Sequence, residues 1–364
     1  MRWQRSDDDL GTLAHLVVLG LVGVVAVASA THARHPDPWT GPAARQAAWL
    51  LIGIAVYWIV QRIDYHDWAD NAWLLYGAGL VTLALLPLVA RPIAGARSWF
   101  ELGPVRLQPS EPMKAITVLA AAAYLSGAPG KLGFGRLVRL ALIVGAPVVL
   151  IALQPDLGTA LTYGPLFLGV AWLAGIRPRV LVSLALVAAL AAPVAWFFVL
   201  KPYQKERILT VFDASRDPSG TGYQVIQSRI AVGSGGVTGK GLFRGSQSRL
   251  DFLPARETDF ILAVIAEETG FVGVLFVLGV YLSLLLRTFR TAALAQDHLG
   301  TFLAVGVGSL WAGEIFINLG MVTGVLPTIG VPLPVLSYGG SAMVATFLAF
   351  GLVGSVRAGR FVNA

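Results

Sequence analysis

Asp259 lies where a polar, arginine-bearing loop runs into an apolar helix; residues 246–270 read SQSRLDFLPARETDFILAVIAEETG. An acid at the mouth of a membrane helix is costly near lipid, and water at a helix end lowers that cost. Such a carboxylate can serve as general base on a hydroxyl within hydrogen-bond reach. The alternative is structural: Asp259 complements the helix dipole, with Thr258 as the cap. Glu267 and Glu268, two turns on, read as interfacial charges or as partners for nearby cations.

Other polar residues stand out in apolar surroundings. Residues 91–114, RPIAGARSWFELGPVRLQPSEPMK, hold Trp99, Arg106, Glu111 and Lys114. Pro109-Ser110-Glu111-Pro112 reads as a helix start with Ser110 as a cap. On their own, Trp99 reads as an interfacial belt residue, and Glu111 with Lys114 as an i,i+3 surface pair. Gln154-Pro155-Asp156 reads as a cap for the helix after it, with Asp156 at its start. Glu314 and Asn318 are four apart and share a helix face, which reads as hydrogen bonding inside a bundle. The glycine run GSGGVTGKG, residues 233–241, lacks P-loop spacing and a preceding strand. It is open to two readings, a backbone nest for an anion or flexible turn chemistry.

These residues must be positioned by membrane helices. Of 364 residues, 56% are hydrophobic and 13% charged, against about 25% charged in soluble domains. Ten apolar segments can be drawn: 13–30, 47–61, 72–90, 113–128, 137–153, 158–176, 180–200, 260–286, 300–322 and 339–356. The second and fourth are short and need their flanks to span. The eighth is too long for one straight crossing, so 260–266 is expected near the outer interface, with 271–286 forming most of the span. The fold class is therefore all-α and polytopic, one membrane domain over 1–364. No cysteine is present, which excludes disulfides and thiolate metal sites, and the five histidines are scattered.

Alternate short connections and the termini carry twelve Lys and Arg, among them Arg62, Lys131, Arg177, Arg287 and Arg357; the other side carries five. The positive-inside bias then puts both termini in the cytoplasm. Three of the loops it places outside stand out: 91–114, the Pro- and Gly-rich 323–342, and the long polar 201–258. The last contains nine Lys and Arg, including Arg207 and Lys240, and apolar residues enough for a short amphipathic helix over 223–232. A site of one carboxylate, many cations and an irregular apolar wall suits an anionic, lipid-linked substrate, which Arg grips bidentately and Lys as a point charge.

The chain resembles the SEDS family (shape, elongation, division and sporulation), in its RodA-like form. The resemblance rests on 95–114, QPDLGTAL (154–161), 202–242, 246–273 and NLGMVTGVLPTIGVPLPVLSYGGSA (318–342). It implies a ten-span peptidoglycan glycosyltransferase that polymerises lipid II at the outer face of the bacterial cell (inner) membrane. The implied partners are the nascent glycan strand, a class B penicillin-binding protein, other elongation-complex membrane proteins and membrane lipids; nucleic acid has no place. By the resemblance Asp259 is the essential acid, and Trp99, Arg106, Glu111, Lys114, Arg207, Lys240 and Gln247 bind substrate, with Asp251 a further acidic position. The sequence departs from the family where Ala255 and Glu257 replace a usual Glu and His, and where Ala342 replaces a Ser. The implied reaction removes the proton of the acceptor 4-hydroxyl with Asp259 and displaces undecaprenyl pyrophosphate with inversion. A divalent cation (Mg or Mn) is compatible with that leaving group, although no residues are assigned to hold one. The alternatives are a lipid II flippase and a non-catalytic scaffold for the transpeptidase.

Overall fold

The computed structural model describes residues 9–37, 40–90, 97–103, 105–127, 130, 132–218 and 220–359. Lys131, and with it Arg2, Arg5, Arg91 and Arg360, which are among the seventeen cations counted above to orient the chain, lie outside the described residues. Every one of the ten apolar segments is a helix. They are α1 (Leu10–Thr31), α2 (Pro42–Gln61), α4 (Ala72–Val89), α5 (Ser110–Ser126), α6 (Phe134–Leu153), α7 (Leu157–Leu173), α8 (Pro178–Val194), α12 (Ile261–Ala293), α13 (His298–Thr323) and α14 (Gly340–Gly359). Shorter elements lie between them: α3 (Tyr65–Asp70), a hairpin of β1 (Phe100–Leu102) and β2 (Val105–Leu107), a π-helical turn (Ala195–Val199), α9 (Pro202–Phe212), a 3-10 turn (Ala214–Arg216), α10 (Thr221–Gly235) and α11 (Ser246–Arg249).

Among the described residues, eight helices are long and apolar enough to cross a membrane. The other two, α5 and α7, have 17 residues each, about 25 Å at 1.5 Å per residue, short of a ~30 Å hydrocarbon layer. Both are sheltered: α13 packs against α5, α7 and α12, and α14 packs on α2. The core thus sits around α5, α13 and α14. Exposed aliphatic and aromatic side chains such as Leu51, Leu88, Leu190, Phe271 and Phe276 cover the outside, as a lipid-facing surface requires.

The loops gather at two ends. At one, Asp9 pairs with Arg287 and Arg357, and His66 bridges Asp64 and Asp297 at 2.8 and 2.7 Å. At the other, Arg34 pairs with Asp251 at 3.0 Å, and Gln108 Nε2 donates to Asp156 at 3.0 Å. The alternation of charged loops read from the sequence matches this division.

Helix α12 breaks where the length of its segment requires. Gly270 has φ 67° and ψ −164°, a left-handed backbone natural to glycine. The break frees backbone groups on both sides, and the glycine run takes them up. Lys240 N donates to Glu267 O at 3.0 Å, Gly241 N to Glu268 O at 2.9 Å, and Phe271 N to Gly236 O at 2.9 Å. A Cβ on Gly235 or Gly239 would overlap the carbonyl of Ala266 or Glu268. The run is therefore neither an anion nest nor a flexible turn; it splices a broken helix. Gly235→Ala is expected to cost about 1–3 kcal/mol through overpacking, read as a lower melting temperature of the purified protein. The residues before the break, 261–268, are all buried under α10.

Three details depart from the sequence reading. Ser110 is the first residue of α5 rather than its cap; Pro109 holds that position, and the Ser110 hydroxyl is buried without a partner among the described residues. Thr258 does not cap α12, whose N-cap is Phe260. The 91–114 loop contains strands: Glu101 faces Arg106 across an antiparallel pair, turned at Gly103 (φ 65°). The expected amphipathic helix within 201–258 is present as α10. Its Ser228 hydroxyl donates to Val322 O at 2.8 Å, so α10 docks on protein through one face and leaves Ile226 and Ile230 exposed.

Candidate active site

The peptide segment carrying Asp259 is fixed from both directions. Ala255, at φ 49°, turns the chain so that Thr258 N and Phe260 N both donate to its carbonyl at 3.2 Å. From the 323–340 loop, Tyr338 N donates to Glu257 O at 2.8 Å and Ser337 Oγ to Thr258 O at 2.6 Å. From α13, Asn318 Nδ2 donates to Asp259 O at 2.8 Å and to Val331 O at 2.7 Å. Asn318, expected to hydrogen-bond within the bundle, thus holds the backbone of the candidate base itself.

The Asp259 side chain is half-buried. A Cβ placed on Gly330 would lie 3.5 Å from its Oδ2, so the carboxylate rests against a bare stretch of the Pro- and Gly-rich loop. Burial pushes its pKa up to about 6, against a hydrogen bond from Thr258 and the charge of Arg207, while Asp156 and Glu257 add to the rise. Asp156 does cap α7, accepting from Thr159 N at 3.0 Å. Arg207, on α9, lies over the Tyr203 ring at 5.8 Å.

A cavity of about 810 Å³ opens beside this segment. Its walls include Arg45 and Trp49 from α2, Trp99, Glu101 and Arg106 from the hairpin region, and Thr258 and Tyr338. Asp259 is not itself on the wall; Thr258, its chain neighbour, is. Arg106 Nε lies 3.7 Å from Glu101 Oε1. Ser341 Oγ donates to Arg106 O at 3.3 Å and accepts from Gln108 N at 3.0 Å, which ties the hairpin to the start of α14. Trp99 and Arg106 are therefore brought together with the segment of Asp259, while Arg207, off the cavity wall, acts on Asp259 through its charge.

Four candidates lie elsewhere. Lys114 Nζ contacts Glu111 Oε2 at 2.7 Å and Glu314 Oε1 at 2.5 Å. All three side chains are 5% exposed or less, so Glu111 and Lys114 form a buried clamp between α5 and α13 rather than a surface pair. Lys240 Nζ contacts Glu267 Oε1 at 2.7 Å, and Glu267 also accepts from Ser246 N at 2.8 Å and Gln247 N at 3.2 Å. Lys240 and Gln247 thus anchor the glycine splice and α11 to α12. Glu267→Ala should strip that anchor from four donors, Lys240 Nζ, Ser246 N, Ser246 Oγ and Gln247 N, and lower the melting temperature without touching the cavity wall. At the departures from the family pattern, Glu257 Oε1 lies 4.0 Å from Arg34. Buried Arg256 donates through Nε to Ala30 O at 2.5 Å and pairs with Asp251. Burial opposes ionisation of Asp251, yet its hydrogen bonds from Arg34 and Arg256 hold its carboxyl below the usual range.

Among the described residues no three His, Asp or Glu side chains converge to hold a metal. A cage of three protein ligands is therefore not built here, whereas a cation shared between one carboxylate and substrate phosphates would not need one; the chemistry below is derived from the chain's own groups.

Residues 9–360 match the family model described as "Cell cycle protein", which groups FtsW, RodA and SpoVE. The chain belongs to this family. Peptidoglycan glycosyltransferase MrdB of Escherichia coli strain K12 is 38% identical over 320 residues, 87% of this chain and 85% of that protein. A probable peptidoglycan glycosyltransferase FtsW of Geobacter sulfurreducens is 37% identical over 353 residues, 95% of this chain and 94% of that one. Among solved structures, a chain from a peptidoglycan synthase complex, described as coordinating polymerization and crosslinking, superposes with TM-score 0.83 at 37% identity, covering 97% of this chain and 98% of its own. The rod shape determining protein RodA of Thermus thermophilus gives TM-score 0.70 at 30% identity, covering 98% of each chain. This member of the family is a multi-pass membrane protein. Sequence reasoning missed Arg45, Trp49 and Tyr338 on its cavity wall. For Arg45 a signal was present, a lone cation one turn into an otherwise apolar helix.

Proposed function

We propose that Asp259 is the general base of an inverting glycosyl transfer on lipid II. The chain is a peptidoglycan glycosyltransferase. The observation that carries the assignment of the base is a carboxylate whose own carbonyl is held by Asn318 and whose neighbour Thr258 is held by Ser337, set next to a cation- and aromatic-lined cavity. Asp259 takes the proton of the acceptor's 4-hydroxyl. The resulting oxygen attacks the anomeric carbon of the donor sugar, the carbon–oxygen bond to pyrophosphate breaks, and undecaprenyl pyrophosphate leaves with inversion. Arg106 and Arg207 bind the anionic parts of the substrates and stabilise the departing charge; Trp99 offers a face for a sugar ring. Glu111, Lys114, Lys240 and Gln247 hold the helices and loops that carry these groups.

The cavity end faces the outer side of the bacterial inner membrane, with both termini in the cytoplasm across ten spans. A class B penicillin-binding protein receives the new strand for crosslinking, during elongation and shape maintenance. The likeness to a chain of a synthase complex supports a partner of this kind.

An acid with a pKa near 6 is mostly ionised at neutral pH and is a stronger base than an ordinary Asp. The sign follows: the working form is the carboxylate, so activity is half-maximal near pH 6 and falls about tenfold per unit below it. Because Arg207 lowers this pKa, Arg207→Gln moves the acid limb to higher pH. A kcat–pH profile of polymerisation on purified lipid II checks both statements. A limb near pH 4, or none, would remove Asp259 from the role.

A further inference from the structure

The end of the bundle away from Asp259 carries its charge in two arrangements. In one, cations are matched: Asp9 takes Arg287 and Arg357, while Asp64 and Asp297 take His66. The other lies where α6 and α8 begin. Leu132 N donates to Ala174 O at 3.1 Å. That bond joins the loop before α6 to the loop before α8, and brings Arg136 and Arg139 of α6 together with Arg177 and Arg179 of the second loop. Residues 112–205 contain a single acid, Asp156, and it sits at the opposite end, on Gln108.

Arg139, Arg177 and Arg179 are exposed, and among the described residues their side chains make no hydrogen bond, ion pair or ring contact. Arg136 reaches back to the carbonyls of Gly130 and Leu125 at 3.3 and 3.4 Å, so it holds the loop while no carboxylate matches its charge. The positive-inside bias accounts for cations at this end. It does not account for a cluster without a carboxylate, whose mutual repulsion is unfavourable until an anion is supplied.

The flanks of the cluster select the anion. On α6, Arg139 leads to Leu142 and Val149 at i+3 and i+10; on α8, Arg179 leads to Val182 and Leu186 at i+3 and i+7, spacings that keep to one helix face. These four aliphatic side chains are exposed. A free phosphate or an acidic peptide would use the arginines and not the stripes below them; a phospholipid uses both. Helix α8 also lacks support from protein, since none of its described residues is buried. A lipid that bridges Arg139 and Arg179 supplies a tie between α6 and α8.

We infer that the joined loops before α6 and α8 form a binding site for an anionic phospholipid of the leaflet opposite the active site. Arginine grips phosphate bidentately, and basic pockets between spans take such head groups. Cardiolipin should bind above the others, because its two phosphates can meet two pairs of guanidiniums. The lipid is a structural ligand and not a substrate, so the site stands apart from the glycosyl-transfer reading.

The test titrates full-length protein in detergent with cardiolipin, phosphatidylglycerol and phosphatidylcholine, counting bound lipid by native mass spectrometry. Inorganic phosphate and a polyglutamate peptide serve as competitors. Arg139→Gln, Arg177→Gln and Arg179→Gln together should weaken cardiolipin about a hundredfold, at about fivefold for each cation near a lipid surface. Phosphatidylcholine should bind as before. Cardiolipin should raise the melting temperature of the wild type and not that of this variant. Arg62→Gln with Arg290→Gln removes charge from the same end, elsewhere, and should leave cardiolipin affinity within about twofold. The three arginines have no protein partner to lose; if the triple variant is nevertheless unstable, Arg179→Gln alone, with its fivefold loss, carries the test. Unchanged cardiolipin affinity in these variants overturns the inference. An equal loss in the Arg62 and Arg290 control does so too, since net charge alone would then explain binding. Displacement of cardiolipin by equimolar phosphate or polyglutamate would make the patch a free-ion or protein site instead. Asp259→Asn should bind cardiolipin like the wild type whatever its activity, so the two readings fail separately.

Discussion

Asp259→Asn is expected to reduce lipid II polymerisation by about 10²- to 10⁴-fold, the usual worth of a positioned general base. The asparagine keeps the shape of the side chain, and the backbone ties that hold position 259 involve its carbonyl, which Asn318 contacts. Folding should therefore be little disturbed; removing a desolvated acid also removes a group whose burial is unfavourable when ionised. The residual rate should lack the limb near pH 6, because the group that titrates there is gone. Binding of undecaprenyl pyrophosphate should persist, since the cavity wall runs through Thr258 and not Asp259. A variant that melts like the wild type, binds the lipid and does not polymerise has lost chemistry alone. Wild-type turnover would end the assignment. Asn318→Leu makes a second, smaller test of the same geometry. It releases the carbonyls of Asp259 and Val331, so kcat should fall while KM for lipid II changes little, with less loss in Asn318→Gln.

The fold was legible because membrane helices announce themselves by length and apolarity, and all ten segments are helices. Their ends were less so. Helix α2 begins at Pro42, five residues before its apolar run, because Arg45 and Gln46 interrupt the hydropathy and not the helix. Asp259 could be found as an acid at a polar–apolar seam. What surrounds it could not, since Asn318, Ser337 and Tyr338 reach it from more than 50 residues away. The glycine run misled for a related reason. Its local composition fits several loops, and only the break at Gly270 opposite it shows which backbone groups it must satisfy. The Glu111–Lys114 pair looked like a surface pair because its third member, Glu314, lies 200 residues further on.

That third member sets the other large effect. Lys114 is the single ammonium between two carboxylates, with all three groups at most 5% exposed. Lys114→Met leaves Glu111 and Glu314 facing each other without a cation, and breaking a buried pair from one side costs about 3–5 kcal/mol. Helices α5 and α13 should lose their clamp, and the melting temperature in detergent should drop sharply. The α5 end carries the hairpin with Arg106, and α13 carries Asn318, so activity should fall as well. A triple variant, Lys114→Met with Glu111→Gln and Glu314→Gln, decides what the charges are for. Neutral groups of similar volume often match a buried ion pair in stability, so this variant should melt near the wild type. If it also polymerises lipid II, the charges serve only to join two helices. If it is stable but turns over lipid II with KM raised, the assignment of Glu111 and Lys114 to substrate that the family resemblance implies holds, and the clamp is part of the binding site. A single Lys114→Met that melts like the wild type would show that the three side chains bear no load between α5 and α13.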